Sequence, residues 1–114
     1  MPLEIKICGI KSEKIINTII ATGGCQYLGF VFYPSSPRNL SIEESKKLTS
    51  IVPNYINKVA VLVNPENAFV EKIKNQFDYL QVYETSPEKI KNLKKISNKK
   101  IIKAIKVKKK EDIN

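Results

Sequence analysis

Cys8 is the first residue of this sequence whose type and position could do chemistry. The chain has two cysteines and no histidine, so acid–base work falls to Cys, Asp, Glu, Lys or Tyr. Cys8 precedes Gly9 at the end of a short β-branched run, where a thiolate could act as nucleophile or base. A small buried hydrophobic residue is the alternative interpretation. Cys25 stands before the next such run and is expected to be structural.

Arg38 is the second candidate, and it is the only arginine of the chain. It lies in a loop stiffened by Pro34 and Pro37. Because every other basic residue is lysine, a retained guanidinium suggests a bidentate contact to a carboxylate or phosphate. An ordinary loop cation is the alternative.

Polar residues also gather around the end of the fourth β-branched run. Gln81 and Tyr83 alternate along it, so they share one face, which points into a barrel or into packing. Glu84 follows and could be an acid or base, or a solvated loop charge. Asn64, after the third run, is predicted to be a helix N-cap rather than a ligand contact.

Five short runs that read as strands must position these residues. Each has four to six residues, and longer stretches of helical period separate them. The predicted strands are 5–8, 27–32, 58–63, 79–83 and 101–105.

Helix starts and one helix end are marked by local signals. Ser12 precedes Glu13, Ser41 and Glu44 form a possible capping box, and Ser86 precedes a proline at the first helical position. Gly23-Gly24 suits the end of the first helix.

Strictly alternating strands and helices predict an α/β fold with a parallel sheet and right-handed crossovers. Five strands could close as an open doubly wound sheet or form part of an eight-stranded barrel. Glu111 and Asp112 look like the first turn of a further helix, so residues 1–114 read as one interrupted domain.

Composition limits the classes of partner. The net charge is +9, and after Ser86 eleven lysines face three acids. This could indicate a nucleic-acid surface, but no aromatic residues are interleaved for base stacking, and lysine-rich composition bias explains it better. No apolar run suits a membrane helix or a secretion signal, and two cysteines make no disulfide framework, so a cytoplasmic protein is expected.

Two motifs of the chain are Lys6-Ile7-Cys8-Gly9-Ile10 and Tyr27-Leu28-Gly29-Phe30-Val31-Phe32-Tyr33-Pro34-x-Ser36-Pro37-Arg38. In this order and at this spacing they resemble the phosphoribosylanthranilate isomerase family of tryptophan biosynthesis. Further similar segments are 41–44, Pro53, 59–64, 78–81 and 101–105, so the resemblance runs from residue 4 to about 107.

The resemblance implies a (βα)8 barrel that catalyses an Amadori rearrangement without a metal or organic cofactor. It implies that Cys8 is the general base and that Arg38 holds the anthranilate carboxylate. Gln81 and Tyr83 would contact the phosphorylated small-molecule substrate. No membrane and no specific nucleic acid is implied as a partner.

The chain departs from the family in two ways. The family usually has Gln-Leu-His-Gly where this sequence has Gln81-Val82-Tyr83-Glu84. The family's general acid, at the tip of the sixth strand, and its phosphate loops after strands 7 and 8 have no counterpart before Asn114.

We therefore expect the first half of a barrel, truncated after about the fifth strand. Such a half should leave two strand edges and an apolar inner face open, and should self-associate or bind a complementary half-barrel. A non-catalytic half-barrel remnant and a basic nucleic-acid-binding module are the competing hypotheses.

Overall fold

Strands and helices alternate along residues 4–104, which are the residues that the computed structural model describes. The elements are β1 (Lys6–Cys8), α1 (Glu13–Thr22), β2 (Tyr27–Phe32), α2 (Ile42–Ser50), β3 (Asn57–Val63), α3 (Asn67–Ile73), a 3₁₀ turn (Lys74–Gln76), β4 (Tyr79–Tyr83), α4 (Pro87–Ser97) and β5 (Lys100–Lys103). Every strand and helix predicted within residues 4–104 is present. The last residue of the predicted fifth strand, Ile105, and the further helix predicted at Glu111 and Asp112 lie outside the described residues.

The strands form one sheet in the order β1-β2-β3-β4-β5, and every neighbouring pair is parallel. This order confirms consecutive βα units of the barrel type. It excludes the doubly wound alternative, in which later strands are added on the other side of the first. Within residues 4–104, β1 and β5 each pair on one side, as expected for two edges.

The hydrophobic core lies on one face of the sheet. Alternate strand residues, such as Phe30, Leu62 and Leu80, are fully buried there. All four helices add side chains to the same cluster, so they all cover this face; these include Ile16, Leu48, Val70 and Leu93. Phe77 packs its ring 5.8 Å from Phe30 and 5.7 Å from Phe32, centroid to centroid.

The opposite face, which we call the inner face, carries the other set of alternating residues. Strand register places its residues in transverse rows, and they are Lys6, Cys8, Tyr27, Gly29, Val31, Asn57, Val59, Val61, Val63, Tyr79, Gln81, Tyr83, Lys100 and Ile102. Cys8 lies beside Gly29, Gly29 beside Val59, and Val59 beside Tyr79.

The inner face is better covered than expected. Val59 is 0% exposed and Val61 is 8% exposed. The rings of Tyr27 and Tyr79 meet edge to face across β3 at 5.7 Å and so cover Val59. The apolar inner face was expected to be open to solvent. This expectation is confirmed for Ile102 on β5, which is 38% exposed, and is wrong for Val59 and Val61.

Side-chain caps begin three helices where the sequence predicted them. Ser12, Ser41 and Ser86 each accept a hydrogen bond from the backbone N–H three residues later. Gly23 ends α1 with a φ of 78°, a conformation that glycine adopts without a steric penalty.

The predicted N-cap role of Asn64 is wrong. Helix α3 begins at Asn67, its N-cap is Glu66, and no side-chain hydrogen bond caps it. Asn64 instead has a φ of 39° and donates its backbone N–H to the Tyr83 carbonyl at 2.9 Å. It therefore ends β3 in a left-handed turn rather than starting the helix.

The capping box of α2 should make stability depend on pH. Hydrogen bonds from the backbone N–H and the side chain of Ser41, with the nearby charge of Lys11, hold the pKa of Glu44 below its ordinary value. A lowered folded-state pKa means that this contribution is present above the unfolded pKa of about 4.3 and is lost as pH falls through the folded value.

We expect acid titration followed by circular dichroism to show this loss as a falling Tm. In Glu44→Gln, which keeps a carbonyl acceptor but cannot titrate, the fall should be smaller. Parallel Tm curves for the two proteins would contradict the assignment.

Candidate active site

The thiol of Cys8 lies on the inner face at the carboxyl end of β1. A Cβ built on Gly29, the neighbour of Cys8 on β2, would lie 2.8 Å from the Cys8 Sγ and 3.4 Å from Cγ2 of Val61. The missing side chain at Gly29 therefore makes room for the thiol. Cys8 is exposed to solvent, whereas Cys25 is buried in the core, as predicted for a structural residue.

Arg38 packs directly against the residue after Cys8. A Cβ on Gly9 would lie 2.8 Å from the Arg38 Nε and 3.3 Å from its Cγ, and Gly9 has a φ of +81°. Both the close approach and the left-handed backbone require glycine here. Arg38 therefore shares the rim at which β1 ends, as the sequence indicated.

Backbone hydrogen bonds hold the loop that carries Arg38 against β2. The Leu40 N–H donates to the Val31 carbonyl at 2.9 Å, and the Arg38 N–H donates to Ser36 Oγ at 3.1 Å. Lys11 Nζ donates to the Asn39 carbonyl at 2.9 Å and ties the loop to the segment after β1. The loop is thus anchored on both sides of the arginine.

Gln81 and Tyr83 also lie on the inner face, and a residue that sequence reasoning missed joins them. Gln81 Nε2 donates to the Tyr83 hydroxyl at 3.1 Å, and Lys6 Nζ donates to Gln81 Oε1. Strand alternation from Cys8 was the available signal, because Lys6 stands two residues before it and must share its face.

A cavity of about 250 Å³ opens where β2, β3 and β4 end. Tyr33, Val63, Tyr83 and Glu84 line it. Tyr33 precedes the loop of Arg38, and Tyr83 ends the hydrogen-bonded chain from Lys6. The cavity combines an apolar wall with two phenols and a carboxylate.

At the other end of the inner face, the Tyr27 hydroxyl donates to the Glu4 carboxylate at 3.2 Å. Burial and this carboxylate raise the pKa of Tyr27, which keeps its phenol neutral.

Glu84 occupies a left-handed backbone position with a φ of 50°. For a residue with a Cβ, this conformation costs about 1–2 kcal/mol of folded-state stability, whereas for glycine the cost is small. Glycine also makes the unfolded chain more flexible, which offsets about 0.4–1 kcal/mol of that advantage. The turn thus explains on physical grounds why glycine suits the position that Glu84 fills.

We expect Glu84→Gly to raise the free energy of unfolding by about 0.5–1 kcal/mol, measured by urea denaturation. Glu84→Ala is the matched control, because it removes the carboxylate and keeps the Cβ. A gain in the alanine variant equal to that of glycine would assign the effect to charge instead of backbone conformation.

Residues 4–104 contain neither a metal-binding cluster nor a membrane-spanning helix. No cluster of three or more His, Cys, Asp or Glu side chains in this range could hold a metal ion. None of the helices in the same range has the length and apolar character needed to cross a membrane.

The family model for N-(5'phosphoribosyl)anthranilate (PRA) isomerase matches residues 5–114 of this chain. The N-(5'-phosphoribosyl)anthranilate isomerase of Staphylococcus epidermidis is 40% identical over 105 residues, which cover 89% of this chain and 50% of that protein. The enzyme of the same name from Chelativorans is 34% identical, covering 99% of this chain and 53% of the relative.

Solved structures agree with the sequence matches. A phosphoribosyl anthranilate isomerase in complex with reduced 1-(o-carboxyphenylamino)-1-deoxyribulose 5-phosphate superposes with a TM-score of 0.85 at 26% identity, covering 97% of this chain and 57% of that one. The enzyme from Thermotoga maritima gives 0.80 at 28% identity, covering 97% and 54%.

This chain spans about half the length of the curated relatives it matches. The match nevertheless includes both motifs, and the solved relatives share the fold of the described residues. The chain therefore belongs to the N-(5'-phosphoribosyl)anthranilate isomerase family.

Proposed function

We propose that this chain supplies the base and the carboxylate-binding residue of an isomerase in tryptophan biosynthesis. The reaction is the Amadori rearrangement of N-(5-phosphoribosyl)anthranilate to its deoxyribulose isomer. The observation that carries the proposal is the packing of the Arg38 side chain against Gly9, the residue that follows the exposed Cys8 at the end of β1. Family membership supports the same assignment.

The reaction needs an acid and a base in sequence. An acid protonates the ring oxygen as the C1′–O bond breaks, and the anthranilate nitrogen lone pair forms a C1′=N⁺ iminium. The Cys8 thiolate then removes the C2′ proton. The electrons of that C–H bond form a C1′=C2′ double bond and neutralise the nitrogen. The enolamine gains a proton at C1′ and loses that of the 2′-hydroxyl, which leaves a ketone.

Arg38 would hold the anthranilate carboxylate, since a guanidinium presents paired donors that match both carboxylate oxygens. The Arg38–Gly9 contact would thereby fix the distance between the carboxylate and Cys8. Gln81 and Tyr83 would contact the sugar from β4. Such fixed positioning can supply several kcal/mol of the barrier reduction.

The acid and the phosphate contacts are proposed to come from a complementary half-barrel, which the resemblance assigns to strands 6 to 8. Glu84 is the carboxylate in the cavity lining. Its strained turn lies on the rim, but no contact links it to Cys8 or Arg38. A cytoplasmic location, where small phosphorylated metabolites are found, fits this role.

The test is turnover of the 114-residue chain with and without the second half of the Staphylococcus epidermidis relative, followed as fluorescence decay of phosphoribosylanthranilate. We expect the lone chain to turn over at least about 10²-fold more slowly than the mixture, because one acid–base group is typically worth 10²–10⁴.

Each other outcome has a definite meaning. Full-rate turnover by the lone chain would contradict the need for a second half and assign the acid to Glu84. Absence of turnover in the mixture, with both halves folded by circular dichroism, would favour a non-catalytic half-barrel.

A further inference from the structure

A chain of three side chains crosses the inner face from β1 to β4. Lys6 and Gln81 are 75 residues apart in sequence. Lys6 lies on β1 and Gln81 on β4, and strands β2 and β3 lie between them. Lys6 is half-buried, and Gln81 is 7% exposed. Among residues 4–104 no carboxylate lies within ion-pair distance of Lys6 Nζ. The Gln81 amide oxygen is its hydrogen-bond partner on the inner face.

The chemistry of these groups sets the direction of every hydrogen bond in the chain. An ammonium has donors and no acceptor, so the Gln81 group that faces Lys6 must be the carbonyl oxygen. The Gln81 NH₂ must then face Tyr83, and it donates to the Tyr83 oxygen at 3.1 Å. With its oxygen accepting from Gln81, the Tyr83 hydroxyl directs its own proton elsewhere.

Tyr83 also lines the cavity at the rim. Because the Tyr83 oxygen already accepts a hydrogen bond from Gln81, its hydroxyl proton is free to donate to a ligand atom in the cavity. Without Lys6, the side-chain amide of Gln81 could rotate by about 180°, so that its oxygen instead of its nitrogen faces Tyr83. The phenol proton would then point back at Gln81, and the cavity would lose a donor.

We propose that Lys6 is a positioning residue that fixes the Gln81 amide and so makes Tyr83 a hydrogen-bond donor to a ligand oxygen. This rests on the proposed function, which identifies that ligand as the phosphorylated sugar adduct. This assignment gives Tyr83 a role in specificity. The site favours a ligand whose oxygen accepts a hydrogen bond in the cavity and disfavours a ligand group that can only donate one.

The first test needs no ligand. In the ¹⁵N-labelled chain, nuclear Overhauser effects should connect the Gln81 NH₂ protons to the Tyr83 ring. Lys6→Met should weaken or remove them, and Lys6→Arg, which keeps donors and charge, should retain them. Circular dichroism checks that both variants fold. Unchanged effects in Lys6→Met would overturn the positioning role.

The second test measures binding of reduced 1-(o-carboxyphenylamino)-1-deoxyribulose 5-phosphate to the chain with its complementing half by calorimetry. We expect Tyr83→Phe to weaken binding about two- to tenfold, the typical loss of a hydrogen bond to a neutral acceptor such as a sugar oxygen. Lys6→Met should weaken it similarly and add nothing to Tyr83→Phe, because both remove the same donor.

Tyr33→Phe is the matched control, because Tyr33 lines the same cavity outside the chain of hydrogen bonds. The fold-loss of affinity caused by Tyr33→Phe should multiply with the fold-loss caused by Lys6→Met in the double variant. If the fold-losses of Lys6→Met and Tyr83→Phe also multiplied, the proposal would be contradicted. Failure of the unsubstituted protein to bind the analogue would contradict the proposed function, while the Overhauser measurement still decides the role of Lys6.

Discussion

Replacing Cys8 with alanine is expected to lower kcat of the reconstituted isomerase by about 10²–10⁴-fold, the usual worth of a positioned general base. The thiol lies exposed at the carboxyl end of β1, and Arg38 packs against the next residue, Gly9. Its removal leaves binding groups in place, so KM should change little. Steady-state fluorescence kinetics with phosphoribosylanthranilate separates the two parameters.

The second cysteine provides the matched control. Cys25 is buried in the core, and its Sγ lies 3.2 Å from the Tyr27 carbonyl, at the end of β2 opposite the rim. Cys25→Ala should lower thermal stability and leave kcat unchanged. Cys8→Ser should be nearly as slow as Cys8→Ala, because a hydroxyl ionises far less readily than a thiol. A kcat unaffected by Cys8→Ala would remove the thiol as the base.

Replacing Arg38 with alanine is expected to reduce kcat/KM by about 10²-fold or more. Hydrogen bonds to charged groups contribute about 1.5–3 kcal/mol each, and every 1.4 kcal/mol is tenfold. The loss should appear chiefly in KM, since the proposed contact with the carboxylate would be made in both the ground state and the transition state. Arg38→Lys should recover part of the loss, because it keeps the charge without the fork of paired donors.

Lys14→Ala controls for net charge. Lys14 is an exposed residue of α1, so its removal lowers the charge of the protein by one without touching the rim. We expect its kcat/KM to match the unsubstituted protein. An equal loss in both alanine variants would show that Arg38 acts through long-range attraction of an anionic substrate instead of direct contact.

Local signals predicted the elements well because the interactions behind them are local. Ser41 and Glu44 bond to each other's backbone across three residues, and Gly23 meets the conformational demand of a single position. The N-cap prediction for Asn64 was wrong because a non-local contact decides its conformation. Its backbone N–H donates to the carbonyl of Tyr83 on the next strand, and Asn64 takes a left-handed turn before the helix begins.

The sequence by itself determined the alternation of strands and helices, the parallel sheet, and the face shared by Gln81 with Tyr83. The period of two in a strand is enough for that. The motifs around Cys8 and Arg38 identified the family, and the singular arginine indicated an anion contact.

The tertiary structure alone decided which side chains meet. Arg38 rests on Gly9, 29 residues away, because a loop folds back on β2. Lys6 reaches Gln81 because the register of four strands brings distant residues together on one face. Alternation assigns a residue to a face, but only the packed sheet shows how far a long side chain extends across it.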